Sequence, residues 1–200
     1  MIFLEAHARA WLIVHAVVGA ALVASATHFV IWARDAWSGK AARWRGVRRF
    51  ATITLALYVA AFALGNLLYP TYKVRVRLEY LDEATALSKD AQARDEVRAL
   101  IDKRRTGVAV APAHNDAPAL ARVARAFDVK EHWVALGLAL AAAACALAWA
   151  WDPRRERSSG AAEMAGKALF CFAVGTATCA WIGALVGLYV SSFRSVGAFG

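Results

Sequence analysis

The run AWLIVHAVVGAALVASATHFVIW, residues 10–32, decides the fold class. It holds no Asp, Glu, Lys or Arg, and it is too long for a helix in a soluble core. A hydrocarbon layer about 30 Å thick needs about 20 helical residues to cross it. Three further runs reach that length with no Asp, Glu, Lys or Arg in their middle: FATITLALYVAAFALGNLLY at 50–69, VKEHWVALGLALAAAACALAWAW at 129–151 and ALFCFAVGTATCAWIGALVGLYV at 168–190. The reading is an all-α, polytopic membrane protein with four transmembrane helices in a bundle. Residues 1–70 form one transmembrane hairpin and 129–200 a second. Residues 71–128 form an extracytoplasmic helical insert between helices 2 and 3.

The chain carries a net charge of +9 and is 60% hydrophobic. Its cations sit beside the apolar runs, a pattern that indicates topology signals and anionic lipid rather than nucleic acid. Arg34, Lys40, Arg43, Arg45, Arg48 and Arg49 separate helices 1 and 2, and Arg154, Arg155, Arg157 and Lys167 separate helices 3 and 4. The positive-inside rule then places both short loops in the cytoplasm, and both termini and the 71–130 segment outside, as expected of a bacterial inner-membrane protein. Trp11, Tyr69, Tyr72, Trp133, Tyr189 and Phe193 mark one interface. Trp32, Trp37, Trp44, Trp149, Trp151 and Phe170 mark the other, at depths where an amphipathic ring is favoured.

Ala24-Ser25-Ala26 has the small residues of a signal-peptide cleavage site, but the first run is too long and lacks a basic segment ahead of it. Helix 1 is expected to be retained. Cys145, Cys171 and Cys179 all fall inside helices 3 and 4. Cys171 and Cys179 would stand about 12 Å apart along a helix, too far for a disulfide. The three read as small packing residues.

Within the insert, Leu78, Leu81, Leu87, Val97, Leu100 and Ile101 recur as a narrow apolar stripe amid mixed charge, as on a surface helix. Val74-Arg75-Val76-Arg77-Leu78 alternates like a strand, so the start of this segment is open in type. Pro70 is expected to end or kink helix 2. The Gly- and Pro-containing stretch 106–118 reads as a loop, and Ala119–Phe127 as a short amphipathic helix. Asp128 with Glu131 three residues on matches a capping box, which would start helix 3 at Val129.

A weak internal repeat accompanies this pattern. Setting His15 on His132 aligns Val17 with Val134, Ala24 with Ala141, Ala26 with Ala143 and Trp32 with Trp149. Setting Phe50 on Phe170 aligns Ala60 with Ala180, Leu68 with Leu188 and Tyr69 with Tyr189. Two copies of one hairpin would be related by an axis along the membrane normal. An Ala-rich sequence also yields such matches without duplication.

Ionisable groups at membrane depth mark function. His15 and His28 lie about 140° apart around helix 1, so one metal cannot bind both. His15 and His132 come from different helices in the same leaflet and are the candidate axial ligands of a metal or haem b. Gly19 and Gly137 would leave room for a macrocycle. Asn66, Tyr69 and Tyr189 fall at similar depth and are candidate contacts for a haem propionate or a quinone. The structural alternative is that these histidines bond carbonyls and the glycines serve packing. His28 is expected to make an inter-helix hydrogen bond. Gly175, Gly183 and Gly187, in register with Cys179 at four-residue spacing, form a small-residue groove for another helix whose identity the sequence leaves open.

No nucleophile–base pair, phosphate loop or metal-hydrolase motif is present, and no carboxylate, Lys or Arg is expected in the interior of a span. That argues against a pump or an ordinary enzyme. The expected function is a non-catalytic accessory or scaffold subunit of a membrane complex, docking other membrane subunits through residues 71–130. The alternative is a small electron-transfer subunit binding haem b or quinone between helices 1 and 3. A carrier or channel is the weakest of the three.

Overall fold

A computed structural model describes residues 7–37, 44–74, 117–153 and 160–193, with 78, 92, 95–97, 99–101, 103 and 104 of the long connection; for 117–124 it describes the backbone alone. Four helices make up the bundle: α1 (Ala8–Trp37), α2 (Trp44–Thr71), α3 (Ala117–Ala150) and α4 (Gly160–Phe193). All four are long and apolar enough to cross a membrane. At 1.5 Å per residue, the 30 residues of α1 span about 45 Å and overshoot the hydrocarbon at both ends.

Neighbours run in a ring. α1 packs on α2 and α4, and α3 packs on α4 and more sparsely on α2, so α1 and α3 stand diagonally opposite. Large apolar side chains such as Val17, Ile31, Val59, Leu136, Leu185 and Leu188 point outward. The interior holds mainly alanines with a few large residues wedged between them, among them Phe29, Trp44, Tyr58 and Leu169. Helices in lipid gain nothing by hiding apolar surface from an apolar solvent, so close contact must come from small residues that let backbones approach.

The packing divides into two clusters. One surrounds Phe29, Ala33, Trp44, Ala51, Ala148, Trp151 and Leu169 at the end carrying the two short connections. There Trp44 and Trp151 meet edge to face, with ring centroids 5.1 Å apart. A Cβ on Gly166 would overlap the Ala36 carbonyl oxygen, so α4 and α1 touch backbone to backbone at that level. The second cluster, Leu22, Ala26, Tyr58, Ala61, Ala141, Ala177 and Ala180, lies at mid-depth. Above it, Ser25 Oγ and Thr54 Oγ1 share a buried hydrogen bond of 2.8 Å between α1 and α2.

Arg48 fastens α2 to the end of α3. Its Nε donates to the Ala148 carbonyl at 2.9 Å, its second nitrogen to the Trp149 carbonyl at 3.4 Å, and the guanidinium lies 3.9 Å from Asp152. The last carbonyls of a helix have no partner within it and carry its negative dipole end, so a cation supplied from α2 satisfies both needs. Trp149 Nε1 returns a bond to Thr52 Oγ1 at 3.0 Å. An arginine counted as a topology signal therefore also serves as a helix cap.

The start of α3 differs from the sequence expectation. The helix begins at Ala117 and runs unbroken past Asp128, so Ala119–Phe127 is its first part and Asp128 is not its cap. Pro118 stands in the first turn, where its missing N–H costs no hydrogen bond and its fixed φ suits a helix. At the other side of the connection, Pro70 is accommodated inside α2, and residues 72–74 continue as a wider π-helical turn. Most of the remainder of the 71–128 insert, including Leu81, Leu87 and most of the charged positions, lies outside the described residues.

Gly137 is the tightest crossing. A Cβ there would collide with the Tyr58 hydroxyl from α2 and come within 2.6 Å of the Cys179 Cβ from α4. Gly137→Ala must separate α3 from its neighbours and is expected to destabilise the bundle by about 1–3 kcal/mol. Gly19→Ala, which meets nothing within 4 Å, should leave the thermal midpoint in detergent unchanged.

Candidate functional site

Towards the end of the bundle that carries the long connection, the alanine seams give out and a cavity of about 420 Å³ opens. His15 enters it from α1, Ala61, Phe62, Gly65, Asn66 and Tyr69 from α2, and Phe127, Lys130, Glu131, Val134 and Ala135 from α3. It lies on the sparsely packed α2–α3 seam, and its lining residues Phe62, Asn66, Glu131 and Ala135 reach the outer surface. The cavity is therefore open at the α2–α3 surface of the bundle.

Each wall follows from local sequence. Gly65 leaves the space that the His15 ring uses; a Cβ there would stand 3.5 Å from His15 Cε1, ordinary contact distance. His15 is half-buried, lies against the Ala61 backbone, and its Nδ1 is buried with no hydrogen-bond partner among the described residues. Asn66 Nδ2 donates to the Phe62 carbonyl of its own helix at 2.9 Å, which pins the amide and leaves its oxygen as the free end. Phe127 stacks on Tyr72 with centroids 3.8 Å apart and more distantly on Tyr69 at 6.4 Å, both nearly parallel. The three rings clasp α2 to α3 at the cavity edge.

Lys130 is the residue that sequence reasoning passed over. Because α3 starts at Ala117, Lys130 stands well inside the helix instead of at its end. Its ammonium lies over the Phe127 ring at 5.7 Å and 3.2 Å from where a Cβ on Gly187 of α4 would stand. One cation from α3 thus sits between α1, α2 and α4, with the Glu131 carboxylate as its neighbour.

The other candidates lie elsewhere. His132 is exposed, and its Nδ1 pairs with the Asp128 carbonyl of its own helix at 3.0 Å. Lys130 and His132 are two residues apart, about 200° around a helix, so with Lys130 turned in, His132 turns out. His15 and His132 therefore do not share the cavity. Tyr189 is exposed on α4 and is not part of the lining. The room expected beside Gly137 is taken by Tyr58 and Cys179. His28 bonds the Ala24 carbonyl of its own helix at 2.9 Å and stacks on Phe50. Gly175, Gly183 and Gly187 all face α3, against Leu140, Val134 and Lys130 in turn. Cys145, Cys171 and Cys179 are free thiols, and among the described residues no three His, Cys, Asp or Glu side chains gather as metal ligands.

No family model matches this chain, and neither a curated protein nor a solved structure matches it.

Replacing His132 with alanine is expected to shift the unfolding midpoint by less than about 0.5 kcal/mol equivalent, as for other exposed positions. Phe127→Ala removes a ring pair and a cation–π contact together, and should cost about 1–2 kcal/mol. A larger loss for His132→Ala would mean that its ring has an interior role.

Proposed function

We propose that this chain is a small multi-pass subunit of a membrane complex whose working centre is the side-opening cavity, and that it takes up an amphipathic ligand from the bilayer. One observation carries the reading: ionisable side chains from two helices, His15 from α1 with Lys130 and Glu131 from α3, border a cavity in a largely apolar bundle. An ammonium held at membrane depth is costly unless it faces a polar partner, and such groups mark binding sites and pathways. The cavity falls within the size range of small-molecule sites, with few polar groups set in apolar walls. Of the electron-transfer alternatives, the single histidine in the lining favours an organic ligand over a haem with two imidazole ligands.

The accessory role through the insert keeps its own support. Val97, Leu100 and Ile101 lie on helical residues of the long connection and are exposed. An apolar face outside the spans is what a docking subunit offers to a partner.

In a bacterial inner membrane the basic short loops would face the cytoplasm, and the cavity and long connection the outside. Alkaline phosphatase fused within residues 105–116 is then expected to be active, and the same enzyme fused near Lys40 inactive; the reverse pattern would invert the topology.

Gly65→Phe should fill the cavity without touching the mid-depth seams. Native mass spectrometry of the wild type released from detergent is expected to show a retained small-molecule adduct that Gly65→Phe lacks. Identical spectra from the two proteins would remove the cavity as the functional centre.

A further inference from the structure

The shape and chemistry of the cavity narrow its occupant. We infer that the cavity is a quinone-binding site, with Lys130 addressing a ring carbonyl, His15 lining the space and the Tyr69–Phe127 side forming a wall for the planar ring. This rests on the ligand-binding reading above and makes it specific.

Four observations converge. First, exposed lining residues open the cavity on the sparse α2–α3 seam of a membrane-spanning bundle, which suits a ligand that travels in the bilayer. Second, the aromatic edge is flat: Phe127 lies within 17° of parallel to Tyr72 and within 20° of Tyr69. Offset stacking favours a planar ring against such a surface over a flexible chain. Third, the lining holds a donor suited to a carbonyl oxygen: the Lys130 ammonium can only donate. Asn66 and Tyr69 add further polar contacts on the α2 wall.

Fourth, the charge balance suits a neutral head. Glu131 stands next to Lys130 in the same lining, so the site does not present an unopposed positive field. A fatty acid or anionic lipid would bring its carboxylate or phosphate beside that of Glu131. A quinone offers acceptors at opposite ends of one ring and carries no net charge, and its apolar tail can leave through the lateral opening. The space accommodates one substituted six-membered ring and the first part of such a tail.

The test uses the full-length protein in nanodiscs with an azido-benzoquinone photolabel, its attachment mapped by mass spectrometry. Labelling is expected on peptides covering 61–69 or 127–135, and unlabelled decylubiquinone in excess should suppress it. Lys130→Met should lower the labelling affinity about tenfold, the loss of one charge-assisted hydrogen bond, and His15→Leu should lower it by reshaping the cavity wall. His28→Ala should leave it unchanged. If either cavity variant fails to fold, judged by gel filtration, the other carries the comparison. Labelling that palmitate suppresses and decylubiquinone does not would overturn the quinone assignment while leaving the cavity a ligand site. Equal labelling of wild type and both cavity variants would also overturn it. No labelling on the cavity peptides, together with no adduct in the wild type, would remove both readings.

Discussion

The bundle depends on the closeness that small residues allow. In water, four helices with apolar surfaces would be driven together by burial; in lipid that drive is absent, and van der Waals contact must supply the attraction. Such contact is strong only where backbones approach. Ala26, Ala33, Ala144, Ala148 and Ala173 have almost no exposed surface, and Gly137 and Gly166 sit where a single added carbon would strike a neighbour. The few large buried side chains act as fixed wedges between these seams. Arg48 completes the arrangement by closing the end of α3 with donors from α2.

Where that rule lapses, a site begins. Towards the long connection the small-residue contact between α2 and α3 thins, and Gly65 and Gly187 leave space that no protein backbone fills. At Gly65 the space admits the His15 ring; at Gly187 it admits the Lys130 ammonium. The same residue type thus closes the bundle at one depth and opens it at another, according to what stands opposite. Phe127 spans the gap with its ring stack, which holds the two helices together without sealing the side. Polar groups inside a membrane are costly, and His15, Asn66, Lys130 and Glu131 are gathered around this one cavity.

Helix rotation decides which polar residue matters. His132 is the more conspicuous candidate in sequence, since it falls at a depth similar to that of His15. Lys130, two positions earlier, reads as an interface residue if the helix starts at Val129. Once the helix begins a dozen residues sooner, at Ala117, its register with α2 and α4 is set by Gly137 against Tyr58 and Cys179. That register turns Lys130 inward and His132 outward.

The number of spans, their approximate centres and the all-helical class were legible in the sequence alone. The reason is physical: bilayer thickness imposes a length, and an apolar run of that length has no other way to satisfy its backbone than as a helix. Asn66, Tyr69 and His15 were legible as polar groups at one depth for the same reason, since depth follows from position along a span. What the sequence could not show was rotation and neighbourhood. A helix apolar on every side has no hydrophobic face to orient it, so the pattern that assigns inside and outside in a soluble protein carries little information here. Only the packing of four backbones decided that α1 stands opposite α3, that Gly187 meets Lys130, and that His15 shares its cavity with a lysine and not with His132.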